Sequence, residues 1–188
     1  GFIRELDVKA DSLEGYLFPE TYTYTSSTTV RQLLLTMVDQ LNEHLPPAIL
    51  FKADELGLDR HELLTLASII QKEAGNVMEM PLISAVFPTR LKRGIALQAD
   101  PTVIYGIVDF DGNLTRKHLA TPTPYNTYRK RGLPPGPIAS PGLFALRAAT
   151  NPAETKALYF VARGDGTHDF SETLREHNRA VRRYQLRR

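Results

Sequence analysis

The sequence predicts an α+β fold, mainly helical, in which short antiparallel strands line one side of a cleft. Apolar residues recur at helical spacing in several capped segments, while the run Leu158 to Val161 has the composition of a short buried strand. Between them, residues 121–142 form a proline- and glycine-rich stretch too long for an ordinary connector.

Bulk properties agree with a single domain spanning residues 1–188, large enough to bury a core. Apolar residues make up 42% and charged residues 23%, an ordinary globular composition that excludes a disordered chain. The formal net charge is only +2, and its excess sits in the last helical segment (Arg175, Arg179, Arg182, Arg183, Arg187, Arg188). A solvated helix face accounts for that pattern better than a nucleic-acid surface, which needs a more basic domain. The absence of cysteine excludes disulfides, thiolate zinc sites and a cysteine nucleophile. No apolar run reaches the roughly 20 residues needed to span a bilayer, and Gly1-Phe2-Ile3-Arg4 lacks a signal-peptide layout. Any membrane anchor is therefore expected outside these residues.

The elements follow in order. Residues 1–28, with Tyr16, Phe18, Tyr22 and Tyr24 around Pro19, read as short strand or irregular chain. Thr29 with Gln32 three positions on forms a capping-box pattern, and Leu34, Met37, Val38 and Leu41 continue as a helix ending near Pro46. A second helix covers Pro47 to Leu56 and stops at Gly57; a third opens with Asp59 as N-cap and Glu62 in support. Met80 to Arg93 reads as a helix that Pro88 should kink or divide before Gly94. Asp100-Pro101 and Ser140-Pro141 each read as an N-cap followed by proline at the first helical position. Asp111-Gly112-Asn113 gives a hairpin signal within 107–117, the 121–142 stretch is expected to wall a cleft, and Ser171 is expected to cap the last helix.

The third helix carries the strongest chemical candidate. Leu63, Leu66, Ala67 and Ile70 make one apolar stripe, and Glu73 follows at its edge while Lys72 projects to the opposite face. A carboxyl group against apolar side chains stays protonated to higher pH, which suits a general acid for glycosidic cleavage. The alternative is a helix-end glutamate pointing to solvent. Gln98, Asp100 and Thr102 cluster amide, carboxylate and hydroxyl groups at a helix start suited to an oxygen-rich ligand, although Asp100 could equally serve as a cap. The run Tyr125-Asn126-Thr127-Tyr128 offers rings to stack on a pyranose and amide and hydroxyl groups to hydrogen-bond it, with Tyr125 and Asn126 the foremost candidates, or else simple turn chemistry from Pro124 to Asn126.

Other chemistries fare worse. His168, Asp169, Ser171 and His177 hold the residue types of a hydrolase triad without a nucleophile elbow, and His177 shares a helical face with Leu174, Val181 and Tyr184 as a packed core histidine would. His61 and Glu62 lack a second histidine four residues on, and Gly164-Asp165-Gly166 lacks the lysine of a phosphate loop, so no metal and no cofactor is expected.

Several segments together resemble the YceG-like endolytic murein transglycosylases, the MltG family. They are Leu13 to Tyr22, Ala67 to Ala74, Leu97 to Gly106, Pro124 to Tyr128, Gly132 to Ala139, Leu158 to Ala162 and His168 to Asn178, in order along nearly the whole chain. The resemblance implies that Glu73, matching the second acidic position of a Glu-Lys-Glu motif, is the catalytic acid and then base of a lytic transglycosylase. It would cleave the bond between N-acetylmuramic acid and N-acetylglucosamine and leave 1,6-anhydro ends. Gln98, Asp100, Thr102, Tyr125 and Asn126 would bind the glycan. The resemblance further implies an extracytoplasmic location, an inner-membrane anchor and a preceding LysM-like domain outside these residues, and cell-wall synthases as partners. Gln71 stands where the family usually has its first glutamate, Thr89 where asparagine is usual, and Ala99 where serine or threonine is common. Rival readings are a hydrolytic muramidase using Asp100 as second carboxylate and a non-catalytic peptidoglycan-binding module.

Overall fold

The computed structural model describes residues 3 and 6–186. Arg187 and Arg188 of the basic tail, and most of the Gly1 to Arg4 opening, lie outside the described residues.

Helix α1 (Val30–His44) opens with the expected capping box, Thr29 accepting from the Gln32 backbone N–H and the Gln32 side chain accepting from that of Thr29. Helix α2 (Pro47–Glu55) begins on its proline. Helix α3 (Arg60–Glu73) has the second capping box, with Asp59 Oδ1 accepting from Glu62 N at 2.9 Å and Glu62 Oε2 accepting from Asp59 N at 3.0 Å. A single 3-10 turn (Val77–Glu79) leads into α4 (Met80–Lys92), followed by the short helices α5 (Asp100–Tyr105) and α6 (Arg116–Ala120) and by α7 (Leu143–Thr150). The antiparallel pair β1 (Tyr159–Ala162) and β2 (His168–Ser171), with Tyr159 opposite Ser171 and Ala162 opposite His168, precedes α8 (Leu174–Tyr184). The fold class is the one the sequence predicts, α+β and mainly helical.

The core is built around α3. The stripe residues Leu63, Leu66, Ala67 and Ile70 are fully buried, but so are Leu64, Thr65, Ser68 and Ile69, so the helix is enclosed on nearly every side. Thr65 and Ser68 tolerate this because their hydroxyls donate back to the carbonyls of His61 (2.8 Å) and Thr65 (2.7 Å). Helices α2, α4, α5 and α7 pack against it. In α7 the small residues Ala145, Ala148 and Ala149 are buried and permit a close approach.

The stretch 121–142 is fastened along α3. His61 Nε2 donates to Pro135 O at 2.8 Å, Ser68 Oγ accepts from Ile138 N at 3.0 Å, and Gln71 Oε1 accepts from Gly142 N at 3.1 Å. Positions 61, 68 and 71 share one helical face, so the loop runs beside the helix toward its C-terminus. Gln71, a departure from the family pattern, here ties the start of α7 to the end of α3. The loop thus mostly covers the core helix; of its residues only Tyr128 lines the cleft described below.

Several elements differ from expectation for identifiable reasons. Ala99 and Gly142, not Asp100 and Ser140, occupy the N-cap positions of α5 and α7, and neither supplies a side-chain cap. Residues 107–115 form no hairpin: Asp111 Oδ1 accepts from Asn113 N in a local turn, Val108 stays exposed, and Thr115 instead caps α6. Helix α4 passes through Pro88 undivided. Ser171 closes β2, and the cap of α8 is Thr173 with Glu176. Of the two alternatives left open for the opening segment, residues 7–28 take the irregular one, anchored by buried Tyr16 and Phe18.

Tyr16 also carries a stability prediction. In the neutral tautomer whose Nε2 donates to Pro135 O, His61 Nδ1 accepts from the Tyr16 hydroxyl at 2.7 Å. The variant Tyr16→Phe leaves that buried nitrogen unpaired and should lower unfolding free energy by about 1–3 kcal/mol. Denaturant titration checks this, and an unchanged midpoint would contradict the bridge.

Candidate active site

A cleft of about 390 Å³ opens where α3 ends, between α4, the start of α5, the β1–β2 hairpin and α8. Glu73 is the last residue of α3, and the chain turns away at Ala74 into extended backbone. The next residue is glycine for a steric reason. A Cβ on Gly75 would lie 2.4 Å from the Gly166 carbonyl oxygen, so the hairpin tip docks directly against the chain leaving Glu73. Asn76 Nδ2 donates to the same carbonyl at 2.9 Å. Below it, Glu79 accepts from both the His168 backbone N–H (3.0 Å) and His168 Nδ1 (2.9 Å), bracing the hairpin against the 3-10 turn.

Glu73 lies within the cleft, largely enclosed, while Lys72 is exposed. Burial, assisted by the negative charge of Asp100 and opposed by Arg90, pushes its carboxyl from the ordinary 4.5 up to about 8. Arg90 could have reversed this by forming an ion pair. Its guanidinium is instead engaged elsewhere: Nε donates to Leu158 O at 2.7 Å, and Nη1 donates to Ala96 O at 3.1 Å and Leu97 O at 2.7 Å. It also lies 5.0 Å from the centre of the Tyr159 ring. Arg90 therefore fixes the 96–98 segment and the chain entering β1, and its charge offsets only part of the rise that burial imposes on Glu73.

Gln98 stands in left-handed backbone at φ 53°, a conformation that costs a non-glycine residue roughly 1–2 kcal/mol. Its N–H donates to Thr127 O at 3.2 Å, holding the strained residue at the cleft rim. A neighbouring bond, from Ala99 N to Thr127 Oγ1 at 3.0 Å, completes the junction between this segment and the following loop. Asp100 is freed from capping duty and accepts from the Tyr128 hydroxyl at 2.6 Å. Burial, then this bond to a carboxylate, holds the Tyr128 phenol well above its usual range, so it stays a donor.

Of the residues expected to bind ligand, Glu73, Gln98 and Asp100 meet in the cleft, and Thr102, Tyr125 and Asn126 do not line it. Thr102 is fully buried, donating to Ala99 O at 2.7 Å and contacting Thr127 Oγ1 at 2.8 Å. Asn126 is fully buried too: its amide donates to the carbonyls of Leu119 (3.1 Å) and Thr121 (2.6 Å), and its Oδ1 accepts from Tyr128 N at 2.9 Å. It shapes the turn that presents Tyr128. The Tyr125 ring packs on Tyr105, with centroids 4.7 Å apart.

Sequence reasoning missed Arg90, Tyr159 and His177, which line the cleft, and within the 125–128 run it favoured Tyr125 over Tyr128, the ring that lines it. Tyr128 lay in the same tyrosine and asparagine run as Tyr125, and only the turn at Asn126 decides which ring faces inward. His177 is no packed core histidine: it lines the cleft, stacked on Tyr159 at 5.3 Å. Burial, then the charge of Arg90, lowers its pKa, so it is neutral at pH 7. The residues of the supposed triad take separate partners, Asp169 binding Tyr184 (3.3 Å) and Arg163 (3.7 Å), and His168 binding Glu79.

The raised carboxyl predicts a pH-dependent stability difference. The folded state holds the Glu73 proton more tightly than an unfolded chain does, so its stabilising effect is complete below about 4.5 and is lost as pH rises toward about 8. The variant Glu73→Gln, which cannot ionise, should therefore be more stable than the parent at pH 8, on the order of 3–4 kcal/mol, and nearly equal to it at pH 4.5. Thermal unfolding across that range checks this; a difference independent of pH would contradict it.

Comparison with known proteins adds the family. The YceG-like family model matches residues 3–183. A Bacillus subtilis (strain 168) protein named endolytic murein transglycosylase is 39% identical over 175 residues, which are 92% of this chain and 48% of the relative. A Streptococcus pneumoniae (strain D39) protein of the same name is 35% identical over 176 residues, 90% of this chain and 32% of the relative. The chain thus spans about half the length of the first relative and about a third of the second. A crystal structure of a yceG-like protein from Listeria monocytogenes superimposes with a TM-score of 0.83 at 36% identity, covering 94% of this chain and 58% of that one. With a carboxyl-bearing cleft at the end of α3 and a family match along almost its full length, the chain belongs to the YceG-like family.

Proposed function

We propose that residues 1–188 form the catalytic domain of a lytic transglycosylase that cleaves the bond between N-acetylmuramic acid and N-acetylglucosamine in peptidoglycan. The observation that carries this reading is geometric: Glu73, at the end of α3, faces a cleft it shares with Gln98, Asp100 and Tyr128, and its partial enclosure there raises its carboxyl pKa. The names of the relatives support it, since both are endolytic murein transglycosylases.

The chemistry needs one carboxyl group. Protonated Glu73 gives its proton to the glycosidic oxygen as the bond to the muramyl C1 breaks, and the 4-hydroxyl of N-acetylglucosamine departs. The resulting Glu73 carboxylate faces an oxocarbenium-like centre and takes the proton of the muramyl 6-hydroxyl, whose oxygen closes on C1 as a 1,6-anhydro ring. No water enters and no second carboxylate attacks. Gln98 and Asp100 hold the sugar, with Tyr128 orienting Asp100. Within this reading the protein acts on the extracytoplasmic face of the cell, is held at the inner membrane by an anchor elsewhere in its sequence, and works beside cell-wall synthases.

A hydrolytic muramidase is the second reading, favoured by the presence of Asp100 on the same cleft. End-group mass spectrometry of digested glycan separates the two, anhydro ends supporting transglycosylation and reducing ends supporting hydrolysis. The variant Glu73→Gln should lower strand cleavage at least about 10²-fold, since general acid catalysis contributes that much or more. Cleavage at the parental rate would overturn the assignment. In the parent, kcat/KM should fall as pH rises through about 8, because the protonated form is the reactive one.

A further inference from the structure

A second groove lies beside the catalytic cleft, and the two share Gln98 and Tyr128 in their walls. Its remaining side chains are dominated by four cations: Arg93 at the end of α4, and Arg129, Lys130 and Arg131 directly after Tyr128. All four are exposed, and none forms an ion pair among the described residues. Among those residues no aspartate or glutamate lines the groove.

General basicity does not explain this. The chain has 23 basic and 21 acidic side chains, a near balance, so four unpaired cations around one concave surface are a local concentration. Such a groove attracts an anion, and its position dictates which part of a bound polymer the anion belongs to. Of the two directions in which a glycan strand could lie against Glu73, one sets its muramyl sugar beside Gln98 and Tyr128, the wall shared with the cationic groove. The lactyl group of that sugar carries the peptide stem, whose free carboxylates would extend over the shared wall. Arginine suits that role because its guanidinium forks onto carboxylates.

We propose that this groove binds the carboxylates of the peptide stem on the muramyl residue next to the scissile bond, making the protein selective for stem-bearing over denuded glycan. The proposal rests on the function proposed above and adds its substrate class. The four cations are positioning groups for the strand; they touch none of the reacting atoms.

Equilibrium binding tests it separately from catalysis. Uncleaved glycan strands are titrated into the Glu73→Gln protein in three forms: with stems; with stems removed by an amidase and the lactyl carboxylates so exposed converted to neutral methylamides; and that same neutral denuded strand carrying a phosphodiester wall polymer. Stem-bearing strands should bind about tenfold more tightly than denuded ones, with an advantage that shrinks as ionic strength rises. Replacing Arg129, Lys130 and Arg131 together by glutamine should abolish that advantage and leave denuded-strand binding unchanged. With the native Glu73 restored, the same replacement should raise KM on stem-bearing strands and leave kcat unaltered. Equal affinity for stem-bearing and denuded strands would overturn the proposal, as would a preference for the phosphodiester form alone. These binding results stand even if the protein proves not to cleave glycan, and a loss of cleavage without loss of the binding preference would count against the function reading only.

Discussion

The structure depends on one electrostatic constraint: a carboxyl group at the end of a buried helix, largely shielded from water and without a direct ion pair among the described residues. Removing solvent from Glu73 raises the cost of its ionised form, and the nearby carboxylate of Asp100 raises it further. The nearby cation, Arg90, opposes this only in part, because its Nε and Nη1 are spent on backbone carbonyls of residues 158, 96 and 97. What would be an ion pair in an ordinary core is here a reservoir for a proton.

The rest of the fold maintains that arrangement. The loop from 121 to 142 is tied to α3 at His61, Ser68 and Gln71, so the helix carrying Glu73 and the turn carrying Tyr128 belong to one hydrogen-bonded unit. On the other side, contact between Gly75 and Gly166 holds the β1–β2 hairpin against the end of the same helix. The Asp100 carboxylate is kept from wandering by the Tyr128 hydroxyl. Arg90, although it opposes protonation of Glu73, is also what joins β1 to the strained backbone at Gln98.

Much of this was legible in the sequence where the signal was local. The capping boxes at Thr29 and Asp59 stand where their spacing placed them, and Glu73 at the edge of the stripe of Leu63, Leu66, Ala67 and Ile70 does face a cleft. The extent of burial of α3 was not legible, because Thr65 and Ser68 look like a polar face until their hydroxyls return to the helix backbone. Asp100 had the appearance of a cap, and only a tyrosine from 28 positions away reveals its different use. Asn126 looked like a sugar ligand because the sequence cannot show that its amide is already satisfied by the carbonyls of residues 119 and 121. Arg90 resembled any basic residue near a helix end.

A direct titration of the Glu73 side chain tests the central claim most closely. The carboxyl carbon resonance of that residue, assigned by comparison with Glu73→Gln in carbon-13 labelled protein, can be followed from acid to alkaline pH. The account predicts a midpoint near 8. A midpoint near 4.5, the ordinary value, would show that the carboxyl is solvated or paired and would contradict it.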